Sequence, residues 1–136
     1  MSIDKIKNAK IVFLLGEAIN KENVDFYKND FFETFNLERS KFNTYDFPEA
    51  HIHNRVLQEK CSKIKNGIQS GLKYVVVTHS QSMVNLFGFY VGMEEIDKED
   101  VAVLLFDKDS EEKLMVSYFN EDGFLKNWKF GFFEMC

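Results

Sequence analysis

The sequence predicts an α/β protein: a mainly parallel sheet flanked by helices, with an antiparallel hairpin near its C-terminal end. Three observations carry that expectation. Short apolar runs recur over residues 9–15, 73–78 and 101–106, as in strands buried on both faces. Stretches with apolar residues at helical spacing separate them. The resulting order, strand–helix–strand–helix–strand, favours parallel central strands. At 136 residues the chain fits one domain with its own core, and no linker, repeat or low-complexity segment divides it.

Each element has its own reason. The run 9–15 ends at Gly16 and reads as a buried strand. Val24, Tyr27, Phe31 and Phe35 recur at helical spacing and predict a helix over 23–36, with Asn23 as its cap. Residues 41–47 form a short strand that Pro48 should end. Leu57, Cys61, Ile64 and Ile68 then mark the clearest helix, over 55–69, and Gly71 stands where a left-handed stop is wanted. The β-branched run 73–78 is a strand, and 82–91 a helix with Val84, Phe87 and Val91 on one face. Strands over 101–106 and 114–119, joined by the charged loop 107–113, read as a hairpin. Asn120-Glu121-Asp122-Gly123 is a second turn, before Phe124-Leu125 and an aromatic tail.

Composition narrows the classes. With 45% apolar and 29% charged residues the chain is globular rather than disordered. A net charge of −5 argues against direct, non-specific binding to nucleic acid, which rests on phosphate neutralisation. Lys60, Lys63, Lys65 and Lys73 read as a solvated helix face rather than a basic patch. Cys61 falls at a helical core position and Cys136 is the last residue, so a disulfide framework is not expected and a reducing cytoplasm fits. No apolar run approaches the ~20 residues of a membrane span, and Met-Ser-Ile-Asp-Lys has no signal-peptide pattern. A soluble, cytoplasmic protein is expected. Among the fifteen Phe, the tail residues Phe130, Phe132 and Phe133, with Trp128, are candidates for a partner-binding surface as well as for the core.

Two segments hold every histidine. In Asp46-Phe47-Pro48-Glu49-Ala50-His51-Ile52-His53, the side chains of Asp46, Glu49, His51 and His53 are oxygen and imidazole donors able to converge on a metal ion, with His79 completing the set. The competing reading is that these histidines cap the following helix or bond to backbone. In Val75-Val76-Val77-Thr78-His79-Ser80, polar groups stand at the carboxyl edge of a parallel strand, where open α/β sheets bind ligands. The competing reading there is a helix cap from Ser80 or Ser82. A Ser–His nucleophile is disfavoured, because Ser80 lacks the Gly-x-Ser-x-Gly elbow.

Together these segments resemble one ATPase family. Tyr45-Asp46-Phe47-Pro48-Glu49-Ala50-His51-Ile52-His53 is similar to the Walker B segment of the ABC-like AAA ATPases of the overcoming-lysogenization-defect and recombination-repair type. The helix that follows, Ser70-Gly71, and the strand ending in Thr78-His79-Ser80 come in that family's order and spacing. Asp122-Gly123-Phe124-Leu125-Lys126-Asn127-Trp128-Lys129-Phe130-Gly131-Phe132-Phe133-Glu134 is similar to the Gly-x-(Ile/Leu)-x-x-Trp-Pro-x-Gly-Phe-Phe ending of one branch. The resemblance covers residues 42–134. It implies a P-loop-ATPase-like half domain, with Asp46 holding Mg²⁺ beside a nucleotide and His79 reading the γ-phosphate.

The departures matter equally. Phe47 stands where the family's catalytic Glu polarises water, leaving Glu49 as a weak substitute, and Asn54 replaces a Pro. No Gly-x-x-x-x-Gly-Lys-Ser/Thr loop and no Leu-Ser-Gly-Gly-like signature occurs. Gly16 opens a strand–loop–helix passage, but the second Gly and the Lys-Ser/Thr pair are missing and Glu17 would repel a triphosphate. Without that cradle most of the stabilisation of phosphoryl transfer is gone. The expectation is a degenerate ATPase-related module that has no catalysis of its own and docks on a related ATPase, another protein or a second copy of itself. The alternative is a small nucleotide-binding or nucleotide-processing enzyme using the cleft around Gly16, Asp46, Glu49 and His79. A metal-dependent nuclease ranks last, because two-metal hydrolysis needs more carboxylates than are local.

Overall fold

A computed structural model describes residues 3–50, 52–106 and 114–126. In chain order the elements are α1 (Ile3–Asn8), β1 (Ile11–Leu15), α2 (Val24–Thr34), β2 (Asn43–Asp46), α3 (Asn54–Gln69), β3 (Tyr74–Val77), α4 (Gln81–Gly92), β4 (Val101–Phe106), β5 (Leu114–Phe119) and β6 (Leu125–Lys126). Strands lie in the order β2-β3-β1-β4-β5-β6. The first four are parallel, and β5 and β6 add antiparallel pairs at one side. This is the expected α/β architecture.

Alternation along the central strands builds two cores. Ile11, Phe13 and Leu15 of β1 meet Leu57, Cys61, Ile64 and Ile68 of α3 and Met83, Val84 and Phe87 of α4 in one cluster. Val12 and Leu14 meet Ile6, Val24, Phe31, Phe32 and Phe35 in the other. The chain moves outward from β1 to β2 and then returns through β3 to β4, so right-handed crossovers place α2 on one face and α3 and α4 on the opposite face. All five residues of β1 and all four of β3 are buried, which is why they read as unbroken apolar runs.

Packing, not capping, fixes α3. His53 stands at its N-cap without a side-chain cap bond, whereas Leu57, Ile64 and Ile68 are each at most 6% exposed. Burial of each contributes roughly 1.5–3 kcal/mol, more than a cap of ~1 kcal/mol. Gly71 takes φ +94° after the helix, as the sequence predicts. Asn23 does precede α2, but its side chain does not cap the helix; it accepts from the Asn20 N–H at 2.7 Å and donates to the Ala18 carbonyl at 2.8 Å. The second turn forms as expected: Asn120 Oδ1 accepts from the N–H groups of Asp122 and Phe124, and Gly123 has φ +85°. No helix among the described residues is long and apolar enough to cross a membrane.

Candidate functional site

β2 and β3 end side by side, because Asp46 and Val77 are partners in the parallel register. Gly16 follows β1, on the other flank of β3. Helix α2 leaves β1 toward one face and α4 leaves β3 toward the other, so the gap between Gly16 and His79 is a topological switch point. The two sequence segments singled out for chemistry therefore meet at one edge of one sheet.

A hydrogen bond spans that gap. The His79 Nε2–H donates to the Gly16 carbonyl at 3.1 Å, which fixes the tautomer, since a carbonyl can only accept. Phe47 packs edge-on against the same imidazole, with ring centroids 5.0 Å apart. To do so Phe47 adopts φ +51°, rare for a bulky residue, while its N–H continues the ladder to the Val77 carbonyl at 2.7 Å. That left-handed backbone costs on the order of 1–2 kcal/mol, which the ring contact and the ladder bond offset. Phe47 thus clamps the His79 ring beside the end of β3.

Glu49 braces the two strand ends. Its Oε1 accepts from the buried Thr78 hydroxyl at 2.7 Å and its Oε2 from the His79 N–H at 3.0 Å. Thr78 Oγ1 in turn accepts from the Ser80 N–H at 2.9 Å, and Ser80 Oγ caps α4 by accepting from the Met83 N–H at 3.1 Å. Ser80, rather than Ser82, is thus the cap.

The loop after β1 is organised by its own asparagines. Asn20 Oδ1 accepts from the Glu22 and Asn23 N–H groups at 2.8 and 3.0 Å, Asn23 Oδ1 takes the Asn20 N–H, and the Ile19 N–H bonds back to the Gly16 carbonyl at 3.2 Å. Four amides that a phosphate loop would aim at its ligand are committed within the loop. A Cβ at position 16 would lie 2.9 Å from the Phe106 carbonyl oxygen, so glycine is required there for close packing.

Asp46 has a partner that sequence reading does not anticipate. Lys28 of α2, with only 4% of its side chain exposed, places Nζ 2.9 Å from Asp46 Oδ2 and 3.4 Å from Asp25 Oδ1. A signal existed: Val24, Lys28, Phe31 and Phe32 are the buried residues of α2, and a charge inside an apolar stripe needs a counter-charge.

The donors proposed for a metal do not gather as that reading needs. Among the described residues no three His, Cys, Asp or Glu side chains converge. Asp46 faces Lys28, Glu49 faces the end of β3, and His53 is exposed at the start of α3. His51 and the tail residues Trp128, Phe130, Phe132 and Phe133 lie outside the described residues, as does the loop 107–113. Cys61 is fully buried, which pushes its thiol up to about 11, so it is no nucleophile at neutral pH.

A groove of about 440 Å³ opens at the opposite, amino edge of the sheet. Buried Ile68, Val91 and Ile96 lie beneath exposed Glu94, Glu95 and Asp97 there, and none of Gly16, Asp46, Glu49 or His79 lines it. Compared with known proteins, the chain matches no family model, no curated protein and no solved structure.

Proposed function

We propose that this chain is a degenerate, ATPase-related module that acts by binding a protein partner, foremost a related ATPase, and does not hydrolyse ATP on its own. One observation carries the reading: the groups that would have to face a nucleotide bond to one another. His79 holds Gly16, Glu49 holds Thr78 and the His79 amide, and the loop amides hold Asn20 and Asn23. Transition-state stabilisation of phosphoryl transfer needs donors aimed at the phosphates, and such donors are the missing part. Docking draws support from apolar side chains left in water: Phe89 near the end of α4, Met93 just after it, and Phe124 before β6 are each at least 58% exposed.

Affinity capture on the immobilised chain, with the retained proteins identified by mass spectrometry, tests the reading. Recovery of an ATPase with an intact phosphate loop supports it; recovery of no such ATPase counts against docking. The second reading, a nucleotide-binding enzyme, is favoured by Asp46 and His79 standing at the ends of adjoining strands, His79 at the switch point. Titration with ATP, ADP and nucleosides, with and without Mg²⁺ or Mn²⁺, separates the two. Binding that collapses in Asp46→Ala selects the enzyme.

A further inference from the structure

We infer that the ammonium of Lys28 is the resident cation of Asp46 and occupies the place that Mg²⁺ takes in the ATPases this chain resembles. The donor set is the argument. Mg²⁺ demands near-octahedral oxygens at ~2.0–2.1 Å and is usually held by one or two carboxylates, waters and substrate phosphates. Here Asp46 Oδ2 lies 2.9 Å and Asp25 Oδ1 3.4 Å from the same ammonium, and Glu49 has both oxygens accepting from Thr78 and the His79 amide. A dication on Asp46 would stand beside that ammonium and be repelled by it. Mg²⁺ therefore does not fit the residues present.

The same geometry gives Lys28 a positioning role. Its side chain crosses from the apolar face of α2 to the carboxyl end of β2, with Asp25 3.4 Å from the same nitrogen. A buried ammonium persists only when paired, so helix and strand end are locked by charge where, among the described residues, the edge strand has no further neighbour. The inference goes beyond the docking reading and does not rest on it: the lock would hold whether or not any partner binds.

Paramagnetic broadening by Mn²⁺, read on backbone amide signals, tests the assignment. In the wild-type chain the Tyr45 and Asp46 amides should keep their intensity as Mn²⁺ is added. In Lys28→Met the two facing carboxylates are released, and those amides should lose intensity, an effect abolished in the Lys28→Met/Asp46→Asn double variant. Localised broadening in the wild type, or a folded Lys28→Met that gains none, overturns the assignment. A measurement on the wild type alone guards against a misfolded variant: the Lys28 Nζ–H signal should persist unchanged when Mg²⁺ is added, and its shift or loss overturns the inference. A failed affinity capture would leave all of these signals as predicted, so the two proposals fail separately.

Discussion

The two ends of the sheet differ in a way composition would not suggest. At the carboxyl edge stand Asp46, Glu49, His79 and Gly16, the residues singled out in the sequence, and each accepts or donates within the chain. At the amino edge a groove of about 440 Å³ lies open, lined by carboxylates, lysines and an apolar floor that no catalytic pattern explains. None of those four residues lines the groove. The lesson is that strand order can gather side chains of chemical interest at one sheet edge, while the partners each one finds there decide what it can do.

The largest effect should come from the turn that carries Glu121 to the groove. Gly123 has φ +85°, and a Cβ there would overlap the Gly88 carbonyl oxygen where the β5–β6 turn lies on α4. Gly123→Ala should destabilise by about 3 kcal/mol, from left-handed strain plus overpacking. Urea denaturation measures the loss. A cost near zero would mean the turn is not seated on α4, and the contrast between a built groove and a closed edge would weaken.

The charge lock at the closed edge comes next, and it should be asymmetric. Asp46→Asn leaves a buried ammonium with only the exposed Asp25, and should cost about 2–3 kcal/mol. Lys28→Met leaves instead a carboxylate that is 36% exposed and that water can reach, so about 1 kcal/mol or less is expected. Equal costs for the two variants would show that the pair is solvated rather than buried.

Glu49 sharpens the comparison further. Glu49→Ala strands the Thr78 hydroxyl, which is buried, and the His79 amide, at a cost of about 2 kcal/mol by thermal unfolding. Glu49→Gln keeps one acceptor and should lose about half as much. A general base would instead tolerate both substitutions structurally.

The smallest effect belongs to the open edge. Burial is the largest influence on Asp100, lifting its carboxyl above the ordinary range; Asp97 and Glu99 add to this, while Lys10 and an Asp97 backbone bond oppose it. The folded state then binds that proton more tightly than the unfolded chain. Its contribution is present below the unfolded carboxylate range and is lost as pH rises through the raised value. Asp100→Asn should therefore flatten the stability profile between acid and neutral pH and raise neutral stability slightly. An unchanged profile in melting experiments across that range would place Asp100 in water.

Much of the fold is legible locally. Ile11–Leu15, Val101–Phe106 and Leu114–Phe119 form strands where the sequence predicts them, because burial leaves a mark in the pattern of apolar residues. The helix predicted over 55–69 forms as Asn54–Gln69 for the same reason. Helix α1 escapes prediction, since Ile6 and Ala9 supply too few apolar positions for a periodic signal. At the site, the placement of Asp46 and His79 at the ends of adjoining strands follows from strand order, but what each side chain does there depends on partners far along the chain. Glu49 finds Thr78 and His79 29 and 30 residues away, and Asp46 finds Lys28 18 residues away. No spacing rule within a motif encodes such pairs, which is why Asp46 and Glu49 read as metal donors in sequence and as lock and brace in the fold.

The central claim is that the carboxyl edge is closed upon itself and does not receive a nucleotide. Its most direct test follows the backbone amides of Gly16, Asp46 and His79 by NMR while Mg²⁺ and ATP are added to the purified chain. The account predicts that these signals stay in place and that no phosphate is released. Saturable shifts at all three residues, or turnover of ATP, would contradict it.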